Sequence, residues 1–314
     1  MSKYSQYLKE RQWKAVRLRF QFQARSSIRF PPFSGSMLRG VFGRALRSVS
    51  CLTKAKDCKG CLLRTNCPYS RLFEPQLTDS IDSAKFSAVP PGYVFEPHSW
   101  GAEILNPGDK FVFDMVLFGN AIDLIPLVIY SLQRGLDRGI GHGDAALVAV
   151  YQLKDEELKK IYTEESEEVL EFDRTVSLKK TFNPSCAVRL LTPLRVQRDG
   201  KILNSSELTA NDFFSALLRR IDLICRTHDK PIEIPYDLLL EETAKVKMAK
   251  SLEFRDWVRY SSRQKNKMNL PGLVGEIRFD DLSESLFRCL ELAEFFHFGK
   301  NTAFGLGRIE IVES

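Results

Sequence analysis

Phe295-Phe-His-Phe-Gly299-Lys300-Asn-Thr-Ala-Phe304-Gly305-Leu-Gly307-Arg308, running on into Ile309-Glu-Ile-Val312, decides how this chain is read. An apolar helix end passes into a glycine-rich loop with one His and two cations, and the loop opens a strand. In nucleotide-binding loops the glycines follow a strand and precede a helix, so that the helix N-terminus faces phosphate. The order here is helix, loop, strand, which excludes that class. Glycine still lets a polyanionic backbone approach bare N–H groups. Gly299, Gly305 and Gly307 are therefore candidate anion contacts.

The same order occurs earlier in the chain. Val16, Leu18, Phe20, Phe22 and Ala24 alternate with polar residues, the signature of a half-buried strand. Ser34 or Ser36 is a candidate cap for a helix with Met37, Leu38, Val41, Phe42, Ala45, Leu46 and Val49 on one face. Strands are expected over 85–95 and 110–118, a helix over 123–136, the glycine loop Gly139-Ile-Gly141-His-Gly143, and a strand over 146–153. The sum is βαββαβ, a ferredoxin-like unit. The second half repeats it. A strand is expected over 186–196, then a helix burying Phe213, Phe214, Leu217, Leu218, Ile221, Ile224 and Cys225, capped at Thr209 or Asn211. A hairpin over 254–263 and 270–279, a helix over 282–296 and the final loop and strand follow. The expected fold is α+β, with tandem ferredoxin-like (RRM-like) domains over 1–153 and 174–314 and a glycine-rich loop before the last strand of each. Residues 154–173, with nine acids against three Lys, read as an exposed linker.

The 314 residues suffice for two cores. The N-terminus lacks the apolar segment of a signal peptide, and the most apolar stretch, 121–132, is too short to span a bilayer. A cytoplasmic protein is expected. Net charge is +6, and 245–268 alone carries eight Lys/Arg against two acids. Positive charge concentrated in this way points to a polyanionic partner. Within it, Arg255-Asp-Trp257-Val-Arg259-Tyr260-Ser-Ser-Arg263-Gln264-Lys265-Asn-Lys267 interleaves cations with aromatics and amides, as RNA contacts require. A solvated edge strand is the bland alternative.

Cys51, Cys58, Cys61 and Cys67 fall in an insertion over 51–67, after the first helix of the βαββαβ order. Four thiolates around a Cys-x2-Cys knuckle suit structural tetrahedral zinc; an iron–sulfur cluster uses the same ligands, and four reduced thiols are the remaining alternative. Cys186, Cys225 and Cys289 sit on apolar faces and read as core thiols. Of four histidines, His297 lies beside Gly299 and Lys300, where an anion would sit, and is the first candidate for proton transfer. His142, in the other glycine loop, is second; His98 and His228 lack convergent partners.

Four stretches together resemble the CRISPR-associated endoribonucleases of the RAMP superfamily that cut precursor CRISPR RNA within its repeats (the "Cas six" group, cysteine-bearing branch). They are Phe33-Ser-Gly-Ser-Met-Leu-Arg39-Gly-Val-Phe-Gly-Arg44, the run from Cys58 through Cys67-Pro-Tyr-Ser-Arg-Leu-Phe-Glu-Pro75, Arg259-Tyr-Ser-Ser-Arg263-Gln, and the C-terminal glycine signature from His297 to Arg308. The resemblance implies metal-independent cleavage by 2′-OH attack, giving a 2′,3′-cyclic phosphate and a 5′-OH. It implies His297 for proton transfer, Lys300 for phosphate stabilisation and Arg39 assisting from the first helix. Arg259, Tyr260, Arg263, Gln264, Lys265 and Arg308 would hold RNA, with Gly299, Gly305 and Gly307 supporting its backbone. Many members carry a catalytic His near the first helix, and residues 29–50 hold none. The implied partners are repeat RNA and effector-complex subunits, with a homodimer left open. The alternative reading is a non-catalytic RAMP subunit that binds guide RNA.

Overall fold

The computed structural model describes residues 3–75, 89–98, 101–256, 258–261 and 266–312. The chain divides into two compact units. One comprises 14–174 with 227–229, and the other 1–13, 175–226 and 230–314. They are called the N- and C-terminal units below. Helix α1 (Lys3–Glu10) belongs to the C-terminal unit.

The N-terminal unit runs β1 (Ala15–Ala24), β2 (Ile28–Phe30), α2 (Gly35–Ser50), α3 (Pro68–Phe73), β3 (Tyr93–Pro97), β4 (Glu103–Leu105), β5 (Lys110–Phe118), α4 (Ile125–Arg138), β6 (Ala145–Lys154) and β7 (Glu157–Thr163). Its sheet has the order β3-β5-β1-β6-β7, antiparallel throughout. Without β7 this is the strand arrangement of a ferredoxin-like unit. The alternation read in the sequence sets β1: Leu18, Phe20 and Phe22 are buried, and Phe20 and Phe22 stack on Phe113 of β5. Ser34 precedes α2 but makes no side-chain cap.

Part of the segment expected as an exposed linker is strand. Asp155 and Glu156 both take positive φ, the dihedrals of a two-residue hairpin turn, and return the chain along β6 as β7. Ile161 is buried there. Further on, Gln152 and Asp173 bond each other at 2.7 and 2.9 Å. The acids at 155–156 occupy the turn; they do not mark disconnected chain.

The C-terminal unit continues with β8 (Cys186–Leu194), a small ribbon of β9 (Gln197–Arg198) and β10 (Lys201–Ile202), α5 (Ala210–His228), α6 (Tyr236–Thr243), β11 (Lys247–Arg255), β12 (Val258–Ser261), β13 (Asn266–Asn269), β14 (Gly272–Asp280), α7 (Glu284–Phe296) and β15 (Ile309–Val312). Its four-stranded sheet has the order β11-β14-β8-β15, again antiparallel. This repeats the N-terminal strand arrangement. The apolar stripe expected on α5 is buried in full, and Phe213 meets Phe279 and Phe298 edge to face. Thr209 and Asp212 form a reciprocal cap at its N-terminus. The hairpin differs from expectation. Lys247–Arg255 pairs with Gly272–Asp280, and β12 pairs β13 as a separate ribbon. The cation-bearing Val258–Ser261 and Asn266–Asn269 thus form a ribbon of their own outside the four-stranded sheet.

Candidate nucleic-acid interface

The C-terminal loop is built by closing a helix end onto the strand beside it. Helix α7 ends at His297, whose N–H bonds the Ala293 carbonyl at 3.0 Å and whose φ of 48° turns the chain away. Arg220 of α5 fills the space beyond. Its Nε donates to the carbonyls of Phe296 and His297 at 3.2 Å, and Nη2 to Phe296 at 3.0 Å. A buried guanidinium thus meets carbonyls that a helix C-terminus leaves unmatched. Burial pushes its pKa down to about 9.

From there the loop clasps the exit of β8. Lys300 N–H bonds Arg195 O at 2.9 Å, Gly307 N–H bonds Pro193 O at 3.1 Å, and Phe298 N–H bonds Gly307 O at 3.2 Å. Gly305 N–H bonds Thr302 O at 2.7 Å, while its own carbonyl accepts from the buried Thr192 hydroxyl at 2.7 Å. Gly307 has φ 72°, and a Cβ there would lie 1.8 Å from the Phe298 carbonyl oxygen. Glycine is required by this approach of protein to protein.

Two expectations change accordingly. His297 is 0% exposed, so its imidazole does not face a solvent-borne phosphate, and its backbone instead ends the helix. The N–H groups of Gly305 and Gly307 are spent on the carbonyls of Thr302 and Pro193 and are not offered to a bound backbone. Lys300 is exposed at the bend. Arg308 is half-buried, with its N–H on Thr192 Oγ1 at 2.8 Å. Gly299 is half-buried with φ 85°, against the Arg195 carbonyl. Arg259 and Tyr260 lie on β12; Arg263, Gln264 and Lys265 lie outside the described residues.

The N-terminal unit contains the same device. Ile140 and Gly143 bond each other at 2.7 and 3.0 Å, and Arg29 N–H bonds Gly141 O at 2.8 Å. A Cβ at Gly141 would meet the Arg29 carbonyl oxygen at 2.5 Å. Each glycine loop therefore clasps the chain that leaves the first strand of its own sheet. His142 sits exposed in this loop with φ 71°. Arg39 of α2 is half-buried, its guanidinium 4.1 Å over the Phe73 ring and beside the Tyr93 hydroxyl. It is a packed cation.

One cluster escaped the sequence reading. On β1, β3 and β5, Arg19 lies across from Asp114, and Asp114 across from Glu96. Arg19 grips Asp114 with two bonds of 2.9 and 3.0 Å, and Arg17 Nη2 bonds Glu96 at 3.0 Å. His98 places Nε2 2.7 Å from Asp114 Oδ2 with its side chain 31% exposed. Burial raises the Asp114 pKa, but the bonds from His98 and Arg19 outweigh it and hold the carboxyl below its ordinary value. A ring aimed by a buried carboxylate, with one edge in solvent, is equipped to move a proton. The signal in the sequence is alternation: 17 and 19 share a strand face of β1, 114 lies on the adjacent β5, and 96 lies on β3 one strand further, with 98 just past its end. Pairing register, which no single segment encodes, brings them together. His228 is buried, bonded through Nε2 to Pro90 O at 2.8 Å.

Cys51, Cys58, Cys61 and Cys67 all line one cavity of about 180 Å³. The expected zinc site is not preformed. Among the described residues no group of three or more His, Cys, Asp or Glu side chains is set to hold a metal ion. The three other cysteines are buried core thiols.

Two antiparallel ferredoxin-like units, each closed by a glycine clasp before its last strand, define a tandem ferredoxin-like protein. Residues 13–174, half of the chain, match the family model AF_1859_N, N-terminal domain, and residues 188–309 match that of the CRISPR-associated endoribonuclease Cas6. The chain thus belongs to the family of the first model over half its length, and its C-terminal stretch matches the Cas6 endoribonuclease domain. Among solved structures it is similar to a Cas6 (TTHB231) product complex, with TM-score 0.58, 14% identity and coverage of 95% of this chain and 100% of that one. Thermus thermophilus Cas6 (TTHB231) gives TM-score 0.54, 15% identity and coverage of 96% and 99%. A partial Cas6-RT-Cas1–Cas2 complex gives TM-score 0.56 and 11% identity, over 98% of this chain and 47% of that one. No curated protein matches the chain by sequence comparison. No helix among the described residues is long and apolar enough to cross a membrane.

Proposed function

We propose that the chain cuts precursor CRISPR RNA within its repeats without a catalytic metal. The 2′-oxygen upstream of the scissile phosphate bonds to phosphorus, the bond to the 5′-oxygen breaks, and the products carry a 2′,3′-cyclic phosphate and a 5′-hydroxyl. A base removes the 2′-OH proton, an acid returns one to the 5′-oxygen, and cations offset the charge gathering on phosphorus. The match of 188–309 to the endoribonuclease family, ending on the clasp with Lys300 at its exposed bend, carries this reading.

Lys300 is assigned to phosphate. Arg308 and the hairpin residues Arg259, Tyr260, Arg263, Gln264 and Lys265 are assigned to holding RNA, and the glycines to the shape of the clasp. Proton transfer is not assigned to His297, which is buried; within the N-terminal unit, His98 is the candidate for it. With Nε2 bonded to Asp114, His98 keeps Nδ1 for the proton. Arg39 supports α2 through Phe73.

The test uses the cognate repeat RNA in the presence of chelator, alongside the same RNA with one 2′-deoxy sugar at the cut. Cleavage in chelator that the deoxy sugar abolishes is the expected result. Tight binding with no product would make the chain a guide-RNA-binding RAMP subunit instead. His98→Ala should slow single-turnover cleavage by about two to four orders of magnitude. An unchanged rate would remove His98 from the chemistry while leaving the endonuclease reading intact.

A further inference from the structure

The four-cysteine cavity has no part in the cleavage reading, and its position in the fold gives it a different one. Cys51 is the C-cap residue of α2, and Cys67 the N-cap residue of α3. Between them the knuckle turns on itself, with Cys61 N–H on Cys58 O at 3.3 Å and Arg64 N–H on Cys61 O at 3.1 Å. The sulfurs of Cys51 and Cys61 each lie 3.8 Å from the Thr53 hydroxyl. Arg47 of α2 braces the insertion, donating to Lys56 O at 3.0 Å while its guanidinium stands 5.7 Å from the Tyr69 ring centroid of α3. Two helix ends and the turn joining them thus present thiols to a single space.

What hangs on α3 is the support of α2. Phe73 approaches α2 so closely that a Cβ at Gly43 would lie 2.3 Å from its ring. The same ring lies under Arg39 and against Phe42 and Tyr93. A helix of six residues is too short to hold itself in water, so α3 depends on what fastens its ends. Phe73 anchors one end; the N-terminal end carries Cys67.

We infer that Cys51, Cys58, Cys61 and Cys67 bind one zinc ion, which draws the four sulfurs inward and clamps the end of α2 to the start of α3. The ion displaces four thiol protons to solvent and closes all four tetrahedral positions, so it carries no water for chemistry. The clamp holds Phe73, and through it Arg39, in place. This inference is independent of RNA cleavage.

The experiment is elemental analysis of the full chain purified with and without added zinc, together with Cys58→Ser/Cys61→Ser and a Cys186→Ser control. One zinc per chain is expected in the native protein and the control, and none in the double variant. Should the double variant fail to fold, the native protein decides alone. Titration with a mercurial should then release one zinc as four thiols react, and amide exchange in 68–73 should rise in step. Metal absent after zinc loading, metal retained by a folded double variant, a visible iron–sulfur chromophore with acid-labile sulfide, or release without faster exchange at 68–73 would each overturn it.

Discussion

Gly307→Ala tests whether the C-terminal loop is a clasp of protein on protein. The residue has φ 72°, where an L side chain costs about 1–2 kcal/mol, and its new methyl would start 1.8 Å from the Phe298 carbonyl oxygen. That carbonyl has little freedom to retreat. Phe298 N–H is bonded to Gly307 O at 3.2 Å, and the Phe298 ring packs on Phe213 with centroids 4.8 Å apart. Relieving the clash opens this bond and the one from Gly307 to Pro193, each worth about 0.5–1.5 kcal/mol net. The expected loss is therefore about 2–5 kcal/mol, a fall in Tm of roughly 4–20 °C for a chain of this size. Gly60→Ala is the control: φ is 74°, but nothing lies within 4 Å of the added carbon. Urea unfolding of both variants separates dihedral strain from close approach. If Gly307→Ala came within about 0.5 kcal/mol of Gly60→Ala, a difference at the edge of what such measurements resolve, crowding would not explain the glycine.

Arg220→Met should destabilise the C-terminal unit by about 1–3 kcal/mol, because the carbonyls of Phe296 and His297 stay buried without their donor; urea unfolding that matches the native chain would refute the cap. The stabilisation from Asp114, whose folded pKa is depressed, is present above the ordinary carboxylate pKa of about 4 and is lost as pH falls through the lower folded value. Asp114→Asn should therefore be less stable than the native chain at neutral pH, with the gap narrowing in acid. A gap that stayed constant down to pH ~2 would refute the linkage.

Much of the fold was legible because local pattern and tertiary burial agree. Lys110–Phe118 is a strand at the expected bounds, and the α5 stripe is buried residue for residue. The correspondence of the two glycine loops also holds, at the level of what each one clasps. Other features depend on distant partners. A polar His beside Gly and Lys looks like surface until Arg220, from another helix, seals the turn over it. The glycine amides look available until Pro193 and Thr302 accept from them. His98 looks solitary until β5 brings Asp114 alongside. The acidic run reads as a tether by charge density alone, yet positive φ at Asp155 and Glu156 folds it back along β6.

Because the amides of Gly143, Gly305 and Gly307 are taken by carbonyls of their own unit, whatever selectivity the loops have rests on the side chains they carry. At Lys300 the side chain is exposed while the backbone N–H is held by the Arg195 carbonyl, so a change of side chain there leaves that bond in place.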